Sequence, residues 1–243
     1  LKIISDNRID HVLFTGSVSG GRQVKKAIGE RFINAGLELG GKDPAYVTEK
    51  ADLESAVANI MDGVFYNAGQ SCCGVERIYV HRSRIDEFVK VAISEMNKLI
   101  INDPGEDGTT MGPLASKSAI SFLDKQRKDA ELKGAEIHEW QGYLPEKGYY
   151  YRPFIALNVC HDMEIMQEES FGPVVGIMAV DSDEEAITRM NDSPYGLTAS
   201  IWTNDLDQAD KIGSQIETGT VFMNCCDVLD PELPWVGIKD SGR

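Results

Sequence analysis

No run in the chain approaches the roughly 20 consecutive apolar residues that a bilayer-spanning helix needs, so no transmembrane segment is expected. Basic side chains are scarce. Against 39 Asp and Glu stand only 24 Lys and Arg, a net charge of −15. Nucleic acid and anionic membranes both require a basic face, so neither is expected as a partner; the acidic excess serves solubility. Cysteine is also sparse: five residues, an odd number, with two adjacent pairs at Cys72-Cys73 and Cys225-Cys226. That is not the pattern of a secreted disulfide framework, and it points to a reducing compartment, the cytoplasm or one such as the mitochondrial matrix. Structural zinc sites space paired thiolates by about two to four residues, whereas these are adjacent and have no histidine at ligand spacing; no metal is expected. No basic-then-apolar leader opens the sequence, although the chain starts at Leu1 and a leader could lie upstream. Internal repeats, low-complexity segments and the G-x-G-x-x-G fingerprint are all missing.

What remains is an ordinary globular composition, 42% hydrophobic and 26% charged, with length enough for one large or two small cores. Residues 9–14 read as a buried strand running into a Gly-rich turn, and residues 22–33 as a helix with Val24, Ala27, Ile28 and Phe32 on one stripe. Residues 36–44 read as the link between two structural units. Beyond it, strands are expected at 45–47, 77–80, 154–159, 174–180, 195–202 and 220–224. Helices are expected at 53–65 with Asp52 as N-cap, 85–100, 115–133, 183–190 capped by Asp181 or Ser182, and 206–216. Tyr149, Tyr150 and Tyr151 read as strand packing. The alternation predicts an α/β fold with an open, mostly parallel sheet and helices on both faces.

One stretch organises the rest. Residues 65–74 place Cys72 in a short Gly/Asn/Gln/Ser-rich turn between a helix and a strand, where catalytic groups tend to sit. A thiolate is a strong nucleophile, but an unperturbed cysteine is mostly protonated at neutral pH and needs a base, a helix N-terminus or a cation nearby. A candidate base lies upstream. Glu38 stands between Leu37 and Leu39, and an apolar wall on both sides would raise its pKa towards the useful range. Further upstream, a strand, a Gly-rich turn and a helix form a candidate phosphate site, because a helix N-terminus offers unpaired N–H groups and a favourable dipole.

Phe65, Gly69, Gln70 and Cys72 match the F-x-x-x-G-Q-x-C signature around the nucleophile of the NAD(P)-dependent aldehyde dehydrogenases, and residues 37–42 read L-E-L-G-G-K, that family's second signature. The two occur in the family's order and at its usual separation. Phe14, Thr15, Gly16, Ser17 and Gly21 resemble its F-T-G-S-x-x-x-G element. Glu169 and Phe171 fall in a run resembling E-E-x-F-G-P, and residues 195–199 resemble Y-G-L-x-A. The resemblance covers nearly the whole chain, which begins and ends inside the family's pattern. Residues 1–37 resemble the end of a Rossmann-like cofactor domain and residues 38–243 the catalytic domain.

The resemblance implies oxidation of an aldehyde to a carboxylic acid with NAD or NADP as cofactor. Cys72 would form a thiohemiacetal and then a thioester, and Glu38 would act as general base for deacylation. Gly16, Ser17 and the helix beginning near Gly21 would face the pyrophosphate. Leu39 and Gly40 would also contact the cofactor, Glu169 would hold the nicotinamide ribose, and Phe171 would pack beside the nicotinamide. Ser71, Cys73, Cys226 and Trp235 would lie at the substrate pocket, with Cys73 directed into packing. The partner is a small-molecule aldehyde, and the full-length protein is expected to be a homodimer or homotetramer. Three departures stand out: Gly74 replaces a frequent alanine, and Trp235 and Val236 stand where the family commonly has Phe and Gly, so that Val236 narrows the tunnel or shifts the turn. The fragment alone is expected to be inactive; a non-catalytic structural or binding piece and a cofactor-independent esterase built on Cys72 are the alternatives.

Overall fold

A computed structural model describes residues 2–242. Strand β1 (His11–Thr15), helix α1 (Val18–Ile28) and strand β2 (Asn34–Glu38) open the chain. There follow β3 (Asp43–Val47), α2 (Leu53–Phe65), β4 (Val75–His81), α3 (Ile85–Asn97), α4 (Lys117–Leu132), β5 (Glu136–Glu139), β6 (Phe154–Leu157) and α5 (Glu164–Gln167). The chain closes with β7 (Val174–Val180), α6 (Asp183–Asn191), β8 (Tyr195–Gly196), β9 (Thr198–Trp202), α7 (Leu206–Gly213), β10 (Thr220–Met223) and β11 (Ile238–Lys239).

The main sheet has seven strands in the order β10-β9-β3-β4-β7-β6-β5. Every neighbouring pair is parallel except β5 with β6 at one edge. Its interior strand β3 is buried at all five positions, as a strand covered on both faces must be. Helix α2 buries Leu53, Ala56, Val57, Ile60 and Val64 along a helical stripe. Its N-cap is Asp52, whose carboxylate accepts from Ser55 N–H; Ser182 caps α6 in the same way, receiving Glu185 N–H. A separate small core packs Val12, Val24, Ile28, Leu37 and Leu39 around the parallel pair β1 and β2, joined through α1 in one β-α-β unit. Among the described residues, no helix is long and apolar enough to cross a membrane.

Several expectations need correction. Helix α1 starts at Val18 and stops at Ile28, short of Phe32, whose side chain is fully exposed. Residues 36–44 read as a link, yet residues 34–38 form β2, which pairs along the whole of β1, and β3 already begins at Asp43. Tertiary pairing overrides weak strand propensity there. Strand β5 was not expected; it is a short, half-polar edge. The three tyrosines at 149–151 lie outside any strand: Tyr151 is buried and Tyr149 is exposed. Helix α3 ends before Ile100, which stands 53% exposed, and α7 ends at Gly213.

The topology explains how distant segments meet. Adjacent parallel strands β4, β3 and β7 share a direction, so the loops entering their N-terminal ends lie side by side. Those loops carry Cys72, residues 39–42 and Glu169. Strand β2 delivers Glu38 to the same edge, and the chain's end returns there: Glu38 forms a bridge with Gly242, and Leu39 N–H donates to Ser241 O at 2.9 Å.

Candidate active site

A cavity of about 390 Å³ opens at that edge, lined by Thr15, Gly16, Ser17, Glu38, Leu39, Gly40, Cys72, Glu169 and Phe171. A sulfur from the turn before β4 and a carboxylate from the end of β2 thus share one cleft. Eight of these nine residues are ones expected to act in catalysis or cofactor binding; the ninth, Thr15, lies in the F-T-G-S-x-x-x-G match without an expected role.

The nucleophile turn is held in an unusual shape. Asn67, Ala68 and Gly69 all have left-handed backbone angles, φ 51°, 56° and 70°, which is costly for non-glycine residues and requires surrounding support. Gln70 supplies part of it. Its amide donates to Asn67 O at 3.0 Å, and its Oε1 accepts from Ala115 N–H at 2.8 Å. Gly69 has a second constraint: a Cβ there would lie 2.1 Å from Gly172 O, so the nucleophile turn rests directly on the turn carrying Glu169 and Phe171. The signature glycine therefore answers both a backbone angle and a close approach.

Cys72 is half-buried and its thiol is pulled down to about 7. Hydrogen bonding with Cys73 is the main cause, helped by a backbone hydrogen bond and opposed by burial and by the charges of Asp227 and Glu38. Cys73 is buried and is not among the residues lining the cavity. Its Sγ lies 2.9 Å from Asp227 Oδ1, and Ser71 Oγ donates to the same oxygen at 2.8 Å. Cys73 has one proton and two claimants, Cys72 and Asp227. Hydrogen bonding with Cys72, then burial and hydrogen bonding with Asp227, pushes the Cys73 thiol up.

Glu38 is half-buried. Its Oε2 is shielded from solvent and has no hydrogen-bond partner among the described residues, and burial pushes its carboxyl upward. An unsatisfied carboxylate oxygen in a cleft is poised to accept a proton. Glu169 accepts from Gly41 N–H at 3.2 Å, and burial, reinforced by the charge of Glu76, raises it to about 7. Phe171 exposes 42% of its surface beside the cavity.

Other singled-out residues fall elsewhere. Gly21 does not line the cavity. It sits in the first turn of α1, its N–H donates to Ser17 O at 2.9 Å, and a Cβ there would strike Leu39 at 2.7 Å. Its role is close packing behind the cavity wall. The helix N-terminus that faces the cleft is at Ser17–Val18 instead. Ser71 and Cys73 are engaged by Asp227. Cys226 packs on α2, with its Sγ 3.5 Å from Asn59 O, and Trp235 is half-buried in the 228–237 segment; neither belongs to this cavity's wall. Asp227, Lys42 and Glu76 were not singled out from the sequence. Lys42 lies inside the L-E-L-G-G-K signature, and that was the available signal; nothing local marks the other two.

The cleft suits a dinucleotide. The first turn of α1 carries no acidic residue, so its N-terminal dipole is not offset. At the other end an exposed aromatic ring and a carboxylate stand together, chemistry matched to a flat ring and a sugar's hydroxyls.

Comparison with known proteins identifies the family. The profile described as Aldehyde dehydrogenase family matches residues 2–243. An aldehyde dehydrogenase of Paenarthrobacter nicotinovorans is 38% identical over 243 residues, covering 100% of this chain and 53% of that protein. Aldehyde dehydrogenase 1A1 of Homo sapiens is 39% identical over 242 residues, 99% of this chain and 48% of its own length. Among solved structures, lactaldehyde dehydrogenase from Escherichia coli superposes with a TM-score of 0.91 at 36% identity, over 97% of this chain and 50% of that one. Betaine aldehyde dehydrogenase from Staphylococcus aureus, in complex with NAD+, does so at 0.93 and 32%, over 98% and 48%. The chain spans about half the length of these relatives. The match over residues 2–243 establishes that the chain belongs to the aldehyde dehydrogenase family.

Proposed function

We propose that the full-length protein oxidises a small-molecule aldehyde to the carboxylic acid with NAD or NADP, through Cys72 and Glu38. The observation that carries this reading is that both side chains line one cavity, Glu38 from the end of β2 and Cys72 from the turn before β4. Cys72, with its thiol near 7, is substantially ionised at neutral pH. Its thiolate attacks the aldehyde carbon, forming a C–S bond, and the new oxyanion accepts from the Cys72 backbone N–H. Such a donor is typically worth about 3 kcal/mol of barrier. The nicotinamide, when bound, supplies the acceptor for the hydride lost from that carbon. Cys72 is left as a thioester. Glu38 then takes a proton from water, the resulting hydroxide equivalent adds to the acyl carbon, and the C–S bond breaks to release the acid and restore the thiolate. Glu169 and Phe171 hold the nicotinamide riboside. Gly16 and Ser17 hold the pyrophosphate beside the start of α1.

The same reading divides the chain into a cofactor-domain piece, residues 1–37, and a catalytic domain, residues 38–243; the two separate hydrophobic cores support such a division, with Leu39 just past the boundary packing into the smaller one. It takes the full-length protein as a homodimer or homotetramer of a reducing compartment such as the cytoplasm, and the five unpaired cysteines support the compartment. It also takes the 243 residues alone as inactive in cofactor reduction.

Single-turnover kinetics on the full-length protein test the roles. Cys72→Ala should give no reduced cofactor at all. Glu38→Gln should give a burst near one equivalent per site, followed by slow turnover as the thioester accumulates. Burst-free loss of rate in Glu38→Gln would exclude it as the deacylation base. Hydrolysis of a p-nitrophenyl ester without cofactor, abolished in Cys72→Ala, would separate a reactive thiol from redox turnover.

A further inference from the structure

Glu76 lies in no motif and does not touch the cavity, yet it is tied to both sides of it. The register between β3 and β4 slips at its position: Asp43 opposes Val75, but Pro44 opposes Arg77. Glu76 is the unmatched residue of a bulge, a device that re-aims a side chain next to active sites. Its carboxylate is buried and fully engaged. Oε2 accepts from Lys42 Nζ at 2.7 Å and from Ser170 N–H at 2.7 Å, and Oε1 accepts from Phe171 N–H at 2.8 Å. Lys42 Nζ also donates to Ser170 Oγ at 2.8 Å, and the Lys42 side chain is wholly enclosed.

One carboxylate thus clamps the two amides that directly follow Glu169, while its ammonium partner ends the L-E-L-G-G-K segment. The clamp has something to hold. Phe171 sits at φ 47°, a strained angle for an aromatic residue that persists only when neighbours impose it. A buried ion pair contributes little net stability compared with an apolar pair of the same volume. Its retention beside a strained, cavity-lining turn calls for a positional role.

We propose that Glu76 is the positioning residue for the nicotinamide-riboside half of the cofactor site, fixing Glu169 and Phe171 through the Ser170 and Phe171 amides with Lys42 as its counter-ion. This rests on the cofactor reading above. Glutamine at this position keeps one acceptor oxygen but turns an N–H₂ towards an N–H, so one amide loses its partner. Glu169 and Phe171 then sample other positions, whereas the start of α1 is untouched.

The test uses the full-length protein and two ligands, NAD+ and ADP, the latter lacking the nicotinamide riboside. Calorimetric titration should show Glu76→Gln binding NAD+ roughly tenfold more weakly than wild type, the loss of one hydrogen bond to a charged acceptor, with ADP unchanged. In the protein without ligand, hydrogen exchange at the Ser170 and Phe171 amides should accelerate. General destabilisation would weaken both ligands alike. Equal weakening, no weakening, or selective weakening without faster exchange overturns the assignment. Wild type that binds neither ligand overturns the cofactor reading itself, and this inference with it. Should Glu76→Gln not fold, the Lys42→Met/Glu76→Gln pair removes both buried charges together and carries the same comparison.

Discussion

Gly41 and Cys72 meet backbone to backbone: a Cβ on Gly41 would lie 2.4 Å from the Cys72 carbonyl oxygen. That atom is not the flexible end of a side chain, so an added methyl must move one loop. The segment holding Glu38 and the segment holding the nucleophile are therefore spaced by the smallest side chain available. Gly41→Ala should lower kcat about a hundredfold, since displacements near 1 Å at a reacting centre cost that much. The C–S bond-forming step should suffer, so the burst rate and kcat should fall together. A variant with wild-type burst kinetics would show that the contact does not set the geometry.

Asp227 grips both neighbours of the nucleophile, through Ser71 Oγ and Cys73 Sγ. Its charge opposes ionisation of Cys72, and it competes for the Cys73 proton that would otherwise stabilise a Cys72 thiolate. Removing the charge relieves both effects in the same direction. Asp227→Asn should move the pH midpoint of Cys72 alkylation by iodoacetamide below its starting value of about 7, by about half a unit to one unit. Cys72→Ala is the control that identifies the alkylated thiol. A midpoint that stays or rises contradicts the competition.

The nucleophile turn, the Glu38 segment and the Glu169 turn were legible because each is a local pattern that the fold merely brings together. Strand β7 was legible too: Val174–Val180 is a continuous apolar run, as a buried parallel strand requires. Strand β2 was not, because Asn34, Ala35 and Gly36 carry almost no strand preference and are held by pairing with β1. The start of α1 was misplaced because glycines 20 and 21 read as turn; in the fold they let the helix pack against Phe14 and Leu39. Glu76 was invisible for a different reason. Its direction is set by a bulge, and a bulge is a property of two paired strands rather than of one. Asp227 likewise acquires meaning only when its loop folds back onto the turn around Cys72.

Glu169 links stability to pH with a sign that can be worked out. Its folded value is raised to about 7, above the ordinary 4.5. Between those values the folded protein keeps a proton that the unfolded chain has lost. The protonated carboxyl's contribution is therefore fully present below pH 4.5 and disappears as pH rises through 7. With the group partly open to solvent, the expected loss is on the order of 1–2 kcal/mol. Glu169→Gln stays neutral and should not show it. Urea midpoints taken at pH 4.5, 6 and 7.5 should favour the variant over wild type increasingly with pH. A constant difference would mean that the carboxyl titrates as it does in water.

Arg77 is the second buried cation beside the site, and it is held differently from Lys42. The residue is 1% exposed and, among the described residues, forms no carboxylate pair. Nε donates to Lys42 O at 2.8 Å, while the terminal nitrogens donate to Arg189 O and Met190 O, each at 3.1 Å. Those two carbonyls lie in the last turn of α6, where the helix dipole is negative and favours a cation. One planar fork thus ties the end of α6 to the segment leading from Glu38 into β3. Arg77→Met should cost about 3 kcal/mol or more, because it strands buried carbonyls without donors. Arg77→Lys should recover little of it: a single ammonium cannot reach three carbonyls set out for a fork. Denaturant midpoints of the two variants check the stability claim. The link to the site is checked separately, by the burst rate of folded Arg77→Lys. That rate should fall, because Lys42 O loses its tether and the backbone around Gly41, which fixes Cys72, loosens with it.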